Sequence, residues 1–295
     1  MQKPIQSFID YLKFEKRYSE HTIRSYHDDL IQFFSFLDQK FGELQLTEIT
    51  SSLVRSWLAD LKDKKISTKS INRKISSLKS FFKYQLRTGT LQQTPMGAII
   101  NPKTGRRLPV FVEEKDMETL FNFIEFPNDW KGQTDKLLIS LFYNTGMRLS
   151  ELINLKENQV NFKNRTIKVL GKGNKERIIP ISGQLESQIQ EYLQQKNKSV
   201  RSGNNFLITN EKGEKLYPKY VWLAIKKYLD KITTIDKKSP HVLRHTFATH
   251  LANSGADLNA VKELLGHSSL AATQLYTHNT IEKLKEVYKK THPKA

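Results

Sequence analysis

Apolar residues spaced three and four apart recur along most of this chain, and the clearest break in that rhythm, residues 94–109, is rich in proline and glycine. A period near 3.6 buries one face of a helix, so the chain is committed to helical layers rather than to a large sheet. Ile5, Phe8, Ile9 and Leu12 open the pattern, with Ser19 as a cap for the next segment. Ile23, Tyr26, Leu30, Phe33, Phe34 and Leu37 mark a second helix, and Val54, Trp57, Leu58 and Leu61 a shorter third that starts at Thr50 to Ser52. A fourth runs from Ser67 through Ile71, Ile75, Leu78, Phe81, Phe82 and Leu86 and stops near Gly89. Short polar connections between four amphipathic helices predict a compact bundle over residues 1–95.

The break from Thr94 to Pro109 holds three prolines, two glycines and three basic residues in sixteen positions. Such a composition resists regular structure and predicts an interdomain linker over 96–111, basic enough to lie along a DNA backbone. Helical spacing returns over 113–125, 133–146 and 149–155, and then the pattern changes to short strand-like runs. These are Gln159–Phe162, Thr166–Leu170 and Arg177–Ile181, the last two joined by the turn Gly171-Lys172-Gly173-Asn174-Lys175. Helices resume at 184–196, 218–230, 241–254, 257–265, 269–276 and 279–290. A second, mostly helical domain over 112–295 with one small antiparallel sheet is expected.

Charge narrows the function. The 295 residues carry 48 Lys and Arg against 30 Asp and Glu, a formal net charge of +18. Residues 1–100 hold 16 basic and 10 acidic groups and the remainder 32 and 20, so both halves are basic. A polyanionic partner is expected, nucleic acid first among them. With no cysteine, disulfide scaffolds, thiolate zinc sites and thiol nucleophiles are excluded. No signal peptide and no membrane-spanning run are visible, so a soluble protein of the cytoplasm is expected, without membrane association.

The chemistry is concentrated in five short contexts. Arg148 follows Gly146 in Thr145-Gly-Met-Arg-Leu-Ser-Glu-Leu152; its fork of donors matches phosphate oxygens, and Glu151 is an equally ready ion-pair partner. His241 and Arg244 lie three apart after Ser239-Pro240, a helix start, and so share a face. His241 and His245 have the spacing of a zinc pair, but the segment lacks the glutamate a metalloprotease helix carries between its histidines and has Arg244 there, which would repel a cation, so no metal is expected. His267 follows Gly266 at a helix end, and Tyr276 comes nine residues later. Lys172 sits between Gly171 and Gly173, placed either to donate a proton to a leaving alkoxide or to be a solvated hairpin tip.

The segments Thr145–Leu152, His241-Val-Leu-Arg-His-Thr-Phe-Ala-Thr-His250 and Leu264-Leu-Gly-His-Ser-Ser-Leu-Ala-Ala-Thr-Gln-Leu-Tyr276-Thr-His278 resemble the tyrosine recombinases, most closely the bacterial Xer type. The likeness covers essentially the whole chain. It implies an N-terminal SAM-like core-binding domain, a catalytic domain of the DNA breaking-rejoining fold, and a C-shaped clamp on duplex DNA. It also implies catalytic roles for Arg148, Lys172, His241, Arg244, His267 and Tyr276, with Tyr276 the nucleophile of a 3′-phosphotyrosine intermediate and no cofactor. Two arginines would hold the nonbridging oxygens, His241 would serve as base, His267 would bond the phosphate, and Lys172 would protonate the leaving 5′-oxygen.

The same resemblance implies chromosome dimer resolution by a homo- or heterotetramer with a paralogous recombinase on two DNA sites, activated by the septal DNA translocase FtsK. An integrase of a mobile element would use identical chemistry, and a non-catalytic architectural protein would explain charge and helices but not the six matched residues. Two further expectations concern surfaces. Lys69, Ser70, Arg73 and Lys74 lie on nearby turns of the fourth helix, opposite its apolar stripe, as a candidate major-groove face. Ile281, Leu284, Val287 and Tyr288 form an apolar stripe on a terminal helix that a neighbouring protomer would bury.

Overall fold

A computed structural model describes residues 2–104, 110–171, 176–199 and 204–266. The chain divides into two compact units, Met1–Arg107 and Leu108–Ala295, with the division inside the 96–111 stretch.

The first unit contains α1 (Gln2–Asp10), α2 (Glu20–Phe41), α3 (Ser51–Asp63) and α4 (Thr68–Arg87). Their starts follow from short polar caps: Ser19, Thr50 and Ser67 each accept a backbone N–H from the residue three on. Between α1 and α2 the chain makes a π-helical turn at Tyr11–Glu15. The core is aromatic, with Phe8 edge-on to Phe81 at 5.5 Å and Phe33 edge-on to Trp57 at 5.1 Å. Such pairs add stabilisation beyond the area they bury.

Two findings here differ from expectation. Residues 95–102 are not a free linker. Met96 and Ile99 are buried in the first unit's core. Pro95 O accepts from Ser51 at 2.7 Å, and Pro102 O from Asn72 at 2.9 Å. Apolar side chains at Met96 and Ile99 outweigh the turn-forming residues around them.

Lys74, expected on the open face of α4, is instead 5% exposed. Its ammonium donates to Asp29 Oδ1 at 2.9 Å and to Gln32, and Arg73 reaches the other Asp29 oxygen. Asp29 is fully buried and also accepts from Ser77. An unpaired carboxylate at that depth would be prohibitively costly, so α4 turns a lysine inward to meet it.

The second unit contains α5 (Glu114–Asn122), α6 (Trp130–Thr145), α7 (Leu149–Ile153), α8 (Gly183–Ser199), α9 (Pro218–Leu229), α10 (Pro240–Asn253) and α11 (Leu258–Leu265). It also holds the antiparallel sheet β1 (Val160–Asn161), β2 (Thr166–Leu170) and β3 (Glu176–Pro180), in that spatial order. β1 is shorter than its apolar run because Asn161 Oδ1 accepts Asn164 N–H at 2.9 Å and turns the chain. β2 and β3 pair from Thr166 opposite Pro180 to Leu170 opposite Glu176.

Helix α6 is buried along nearly its whole length, from Leu137 through Thr145, and forms the axis of this unit. Helix α10 packs directly on it. The expected helices at 269–276 and 279–290 lie outside the described residues. Among the described residues no helix is long and apolar enough to cross a membrane.

Candidate active site

The C-terminal ends of α6 and α11 meet beside the start of α7, and three arginines converge there. Helix α6 ends at Gly146 and α11 at Gly266, each in the left-handed region with φ of +56° and +62°. Glycine is needed at Gly146 for space as well: a Cβ there would stand 2.3 Å from Phe247 Cδ1. With no side chain at either end, the last carbonyls of both helices open towards the arginines.

Arg148 occupies the N-cap position of α7. Its backbone N–H donates to Glu151 Oε2 at 2.7 Å, so Glu151 closes the first turn in the manner of a capping box. The Arg148 guanidinium donates from Nη1 to Glu151 Oε1 at 2.9 Å and from Nη2 to Gly266 O at 2.8 Å. The side chain keeps 30% of its surface exposed. The ion pair and the anion-facing role weighed for Arg148 are therefore compatible.

Arg244 comes from the buried face of α10 and is 7% exposed. It donates to Gly146 O and Leu265 O, both at 2.5 Å. Burial, then the charges of Arg148 and Arg177, pull its pKa down to about 10, so it stays charged at neutral pH. Helix α10 is pinned at its far end. Val112 N–H donates to Thr246 Oγ1 at 3.0 Å, and His250 Nε2–H donates to Val112 O at 2.9 Å, which leaves Nδ1 to accept Tyr143 O–H at 3.1 Å. Burial lowers the His250 pKa and keeps this ring neutral. His241 is exposed on the first turn of the same helix, three residues before Arg244. Ser239 takes the N-cap position there without a side-chain hydrogen bond, with Pro240 in the first turn.

Arg177 was not anticipated. It enters from β3, 4% exposed, and forks onto Glu151: Nη1 to Oε1 at 2.7 Å, Nη2 to Oε2 at 2.8 Å, and Nε to Leu264 O at 2.7 Å. A signal existed in the sequence. In a strand, Arg177 shares a face with Ile179 and Ile181, both of which are core residues, so alternation already turned the arginine inward. Glu151 thus accepts four bonds. Burial alone would raise its pKa, but Arg177, the Arg148 backbone N–H and the Arg148 side chain reverse this and hold the carboxyl at about 2.

Three guanidiniums facing one carboxylate leave local positive charge in a half-enclosed place. An anion with several oxygens, such as a phosphodiester, is the natural complement. Lys172, His267 and Tyr276 lie outside the described residues; β2 ends two residues before Lys172, β3 begins four residues after it, and α11 ends two residues before His267.

Of the candidate groove-reading residues, Lys69 and Arg73 are exposed and Ser70 is partly covered. The Ser70 hydroxyl lies 3.0 Å from that of Ser67, inside the helix cap.

Comparison with known proteins gives the same picture from sequence and from shape. Residues 110–283 match the Phage integrase family, and residues 5–89 match the Phage integrase, N-terminal SAM-like domain. The chain is 39% identical over 296 residues to the tyrosine recombinase XerC of Staphylococcus saprophyticus subsp. saprophyticus, covering 100% of this chain and 99% of the relative. It is 38% identical over 289 residues to the Staphylococcus aureus (strain USA300) XerC, covering 98% and 96%. Among solved structures it resembles the XerH site-specific recombinase bound to a palindromic difH substrate in a post-cleavage complex, with a TM-score of 0.72 and 26% identity over 90% of this chain and 78% of that one. The Tn1549 transposon integrase shares the fold, with a TM-score of 0.70 at 22% identity over 95% and 98%.

Proposed function

Because this chain belongs to the phage integrase family and is a site-specific tyrosine recombinase, we propose that it cuts and rejoins DNA through a 3′-phosphotyrosine on Tyr276, and that its task is resolving chromosome dimers at cell division. The observation that carries the reading is the convergence of Arg148 and Arg244 on the carbonyls of Gly146, Leu265 and Gly266, with charge left over for a phosphate.

In the proposed step the two arginines hold the nonbridging oxygens of the scissile phosphate and offset the charge that builds up in the transition state. The Tyr276 oxygen attacks phosphorus while His241 takes its proton. His267 donates a hydrogen bond to the phosphate. The bond from phosphorus to the 5′-oxygen breaks, and Lys172 protonates that oxygen. One phosphodiester is exchanged for another, so no ATP is consumed; a 5′-hydroxyl from a partner strand then reverses the reaction on a new junction.

Both units are basic and suit a duplex partner. Lys69 and Arg73 on α4 are the proposed groove-facing residues, with Ser70 at their edge; Lys74 is assigned to the Asp29 pair instead. The working assembly is proposed to be a tetramer on two DNA sites, of one recombinase or of this chain with a paralogue, in the cytoplasm and under activation by the septal translocase FtsK. The stripe Ile281, Leu284, Val287 and Tyr288 is the proposed clasp between protomers. Relatives called XerC, nearly 40% identical over the full length, favour the chromosomal role over mobile-element integration.

The test is adduct formation. Wild-type protein and Tyr276→Phe are incubated with a nicked duplex carrying a mapped chromosomal binding site and run on a denaturing gel. The wild type should form a covalent protein–DNA adduct and Tyr276→Phe none, with similar DNA affinity. An adduct at wild-type level from Tyr276→Phe overturns the assignment of the nucleophile.

A further inference from the structure

We propose that Arg177 is a positioning residue for strand cleavage, saturating Glu151 so that Arg148 is oriented by that carboxylate without being captured by it. This rests on the reading of Arg148 as a phosphate-binding group. At 4% exposure Arg177 cannot itself meet DNA. It sits against Glu151 with both terminal nitrogens and reaches Leu264 O with the third, which fixes its plane.

The consequence falls on Arg148. A carboxylate and a guanidinium left alone in a buried place pair bidentately, fork to fork. Here both Glu151 oxygens are already engaged in that way by Arg177, and Glu151 Oε2 also serves the Arg148 backbone N–H. Arg148 therefore makes one side-chain bond to Glu151, and its other terminal nitrogen goes to Gly266 O. That single-point hold keeps the guanidinium part-exposed in a fixed direction. Removing Arg177 frees one face of Glu151 and lets Arg148 swing into the bidentate pair, away from substrate.

Arg177 also connects the parts that must stay in register. Its strand begins four residues after Lys172, its Nε holds the end of α11, and its stem lies under Gly266, where a Cβ would stand 3.1 Å from Arg177 Cδ. One side chain thus ties β3, α7 and α11 together. Simple neutralisation of Glu151 would not need it, since Arg148 is already present. Placing a third cation beside Arg148 and Arg244 carries a repulsive cost.

The test uses the full chain and the nicked duplex described above, with single-turnover cleavage followed from pH 5 to pH 9. Arg177→Met should cleave about a hundredfold more slowly, the scale of a displaced positioning group, while DNA affinity stays within about threefold of wild type. The facing charges around Glu151 are Arg148 on α7, Arg177 on β3 and Arg244 on α10; α11 presents only backbone carbonyls among the described residues. Loss of the closest of them should let Glu151 gain a proton at higher pH, adding an acid limb to the Arg177→Met profile. Glu151→Gln/Arg177→Met should lack that limb, which separates it from any histidine titration shared with wild type.

Arg177→Lys keeps the charge and most of the stem but loses the fork, and should cleave about tenfold more slowly with unchanged affinity. It carries the test if Arg177→Met does not fold. Wild-type rates from a folded Arg177 variant overturn the proposal, as does a loss that is equal at every pH and unaffected by Glu151→Gln. No adduct from the wild-type chain would instead overturn the cleavage chemistry, and the Arg177 role with it.

Discussion

Gly146→Ala isolates what the meeting of α6, α10 and α11 demands of its backbone. Gly146 has φ +56°, and a Cβ built on it would lie 2.3 Å and 2.8 Å from the Phe247 ring and 3.0 Å from Leu265 Cδ2. Two costs add. Holding an L side chain in the left-handed region costs about 1–2 kcal/mol. Forcing a methyl against a packed ring costs about 1–3 kcal/mol more. The sum, about 2–5 kcal/mol, would lower the melting temperature by roughly 2–4 °C per kcal/mol for a unit of this size. Gly255 supplies the control, because its φ is +87° and nothing stands within 4 Å of its would-be Cβ. Gly255→Ala should therefore show the conformational cost alone. Urea unfolding of the full chain measures both, and the difference between the two variants is the steric cost. Gly146 O is also an anchor of Arg244, so Gly146→Ala should lose adduct formation beyond its loss of stability. If Gly146→Ala is no less stable than Gly255→Ala, the close approach of Phe247 is not what selects glycine.

Asp29→Asn should destabilise the first unit by about 3–5 kcal/mol in urea unfolding, because it strands the buried Lys74 ammonium. Adding Lys74→Met should recover most of the loss, and no recovery would show that the pair is not the source. Glu151, ordinarily near pKa 4.5, is held at about 2, so its contribution of about 3 kcal/mol is complete above pH 4.5 and disappears as pH falls towards 2. Acid unfolding of Glu151→Gln should accordingly be flatter than wild type between those pH values. Lys172→Ala should cleave ordinary DNA slowly but recover on a 5′-bridging phosphorothiolate, whose sulfur leaves without a proton; no recovery would remove lysine from that step.

The elements were largely legible in the sequence because each carries its own period and its own stop. α2 and α4 begin at hydroxyl caps and bury a single face; β2 and β3 carry short strand-like runs on either side of a glycine-rich stretch of sequence. Charged residues that leave the surface were harder to see. Lys74 reads as one of four polar neighbours on α4, and only the position of Asp29 on another helix, 45 residues away, turns it inward. Arg177 carries a local hint through the parity of β3, but the carboxylate that receives it belongs to α7, and the carbonyl to α11. Pairing across elements is a property of the packed state, and no local pattern encodes it. Arg148 and Arg244 drew notice in the sequence because their residue type suits a phosphate; Arg177 has the same type, but nothing near it in the sequence points to Glu151.

The manner in which the arginines are held explains how a buried cationic cluster remains available. Had each guanidinium been matched to its own carboxylate, orientation would have come at the expense of charge, and a phosphate would have had to compete with those carboxylates. Here most of the anchoring is done by main-chain oxygens: Gly146 O from the end of α6, and Leu264, Leu265 and Gly266 O from the end of α11. These are the carbonyls a helix leaves without intrahelical partners, and they sit at the end where its dipole is negative. They fix direction through hydrogen bonds and soften the repulsion among three cations with partial charges only. The one full carboxylate among the described residues of the cluster, Glu151, is spent on Arg177 of β3 and Arg148 at the start of α7. Among the described residues Arg244 is anchored by carbonyls alone, and it is also the arginine whose pKa is pulled down, the expected mark of a cation that is desolvated and under-compensated. An arriving phosphodiester would supply the missing negative charge at the point where the protein has withheld it.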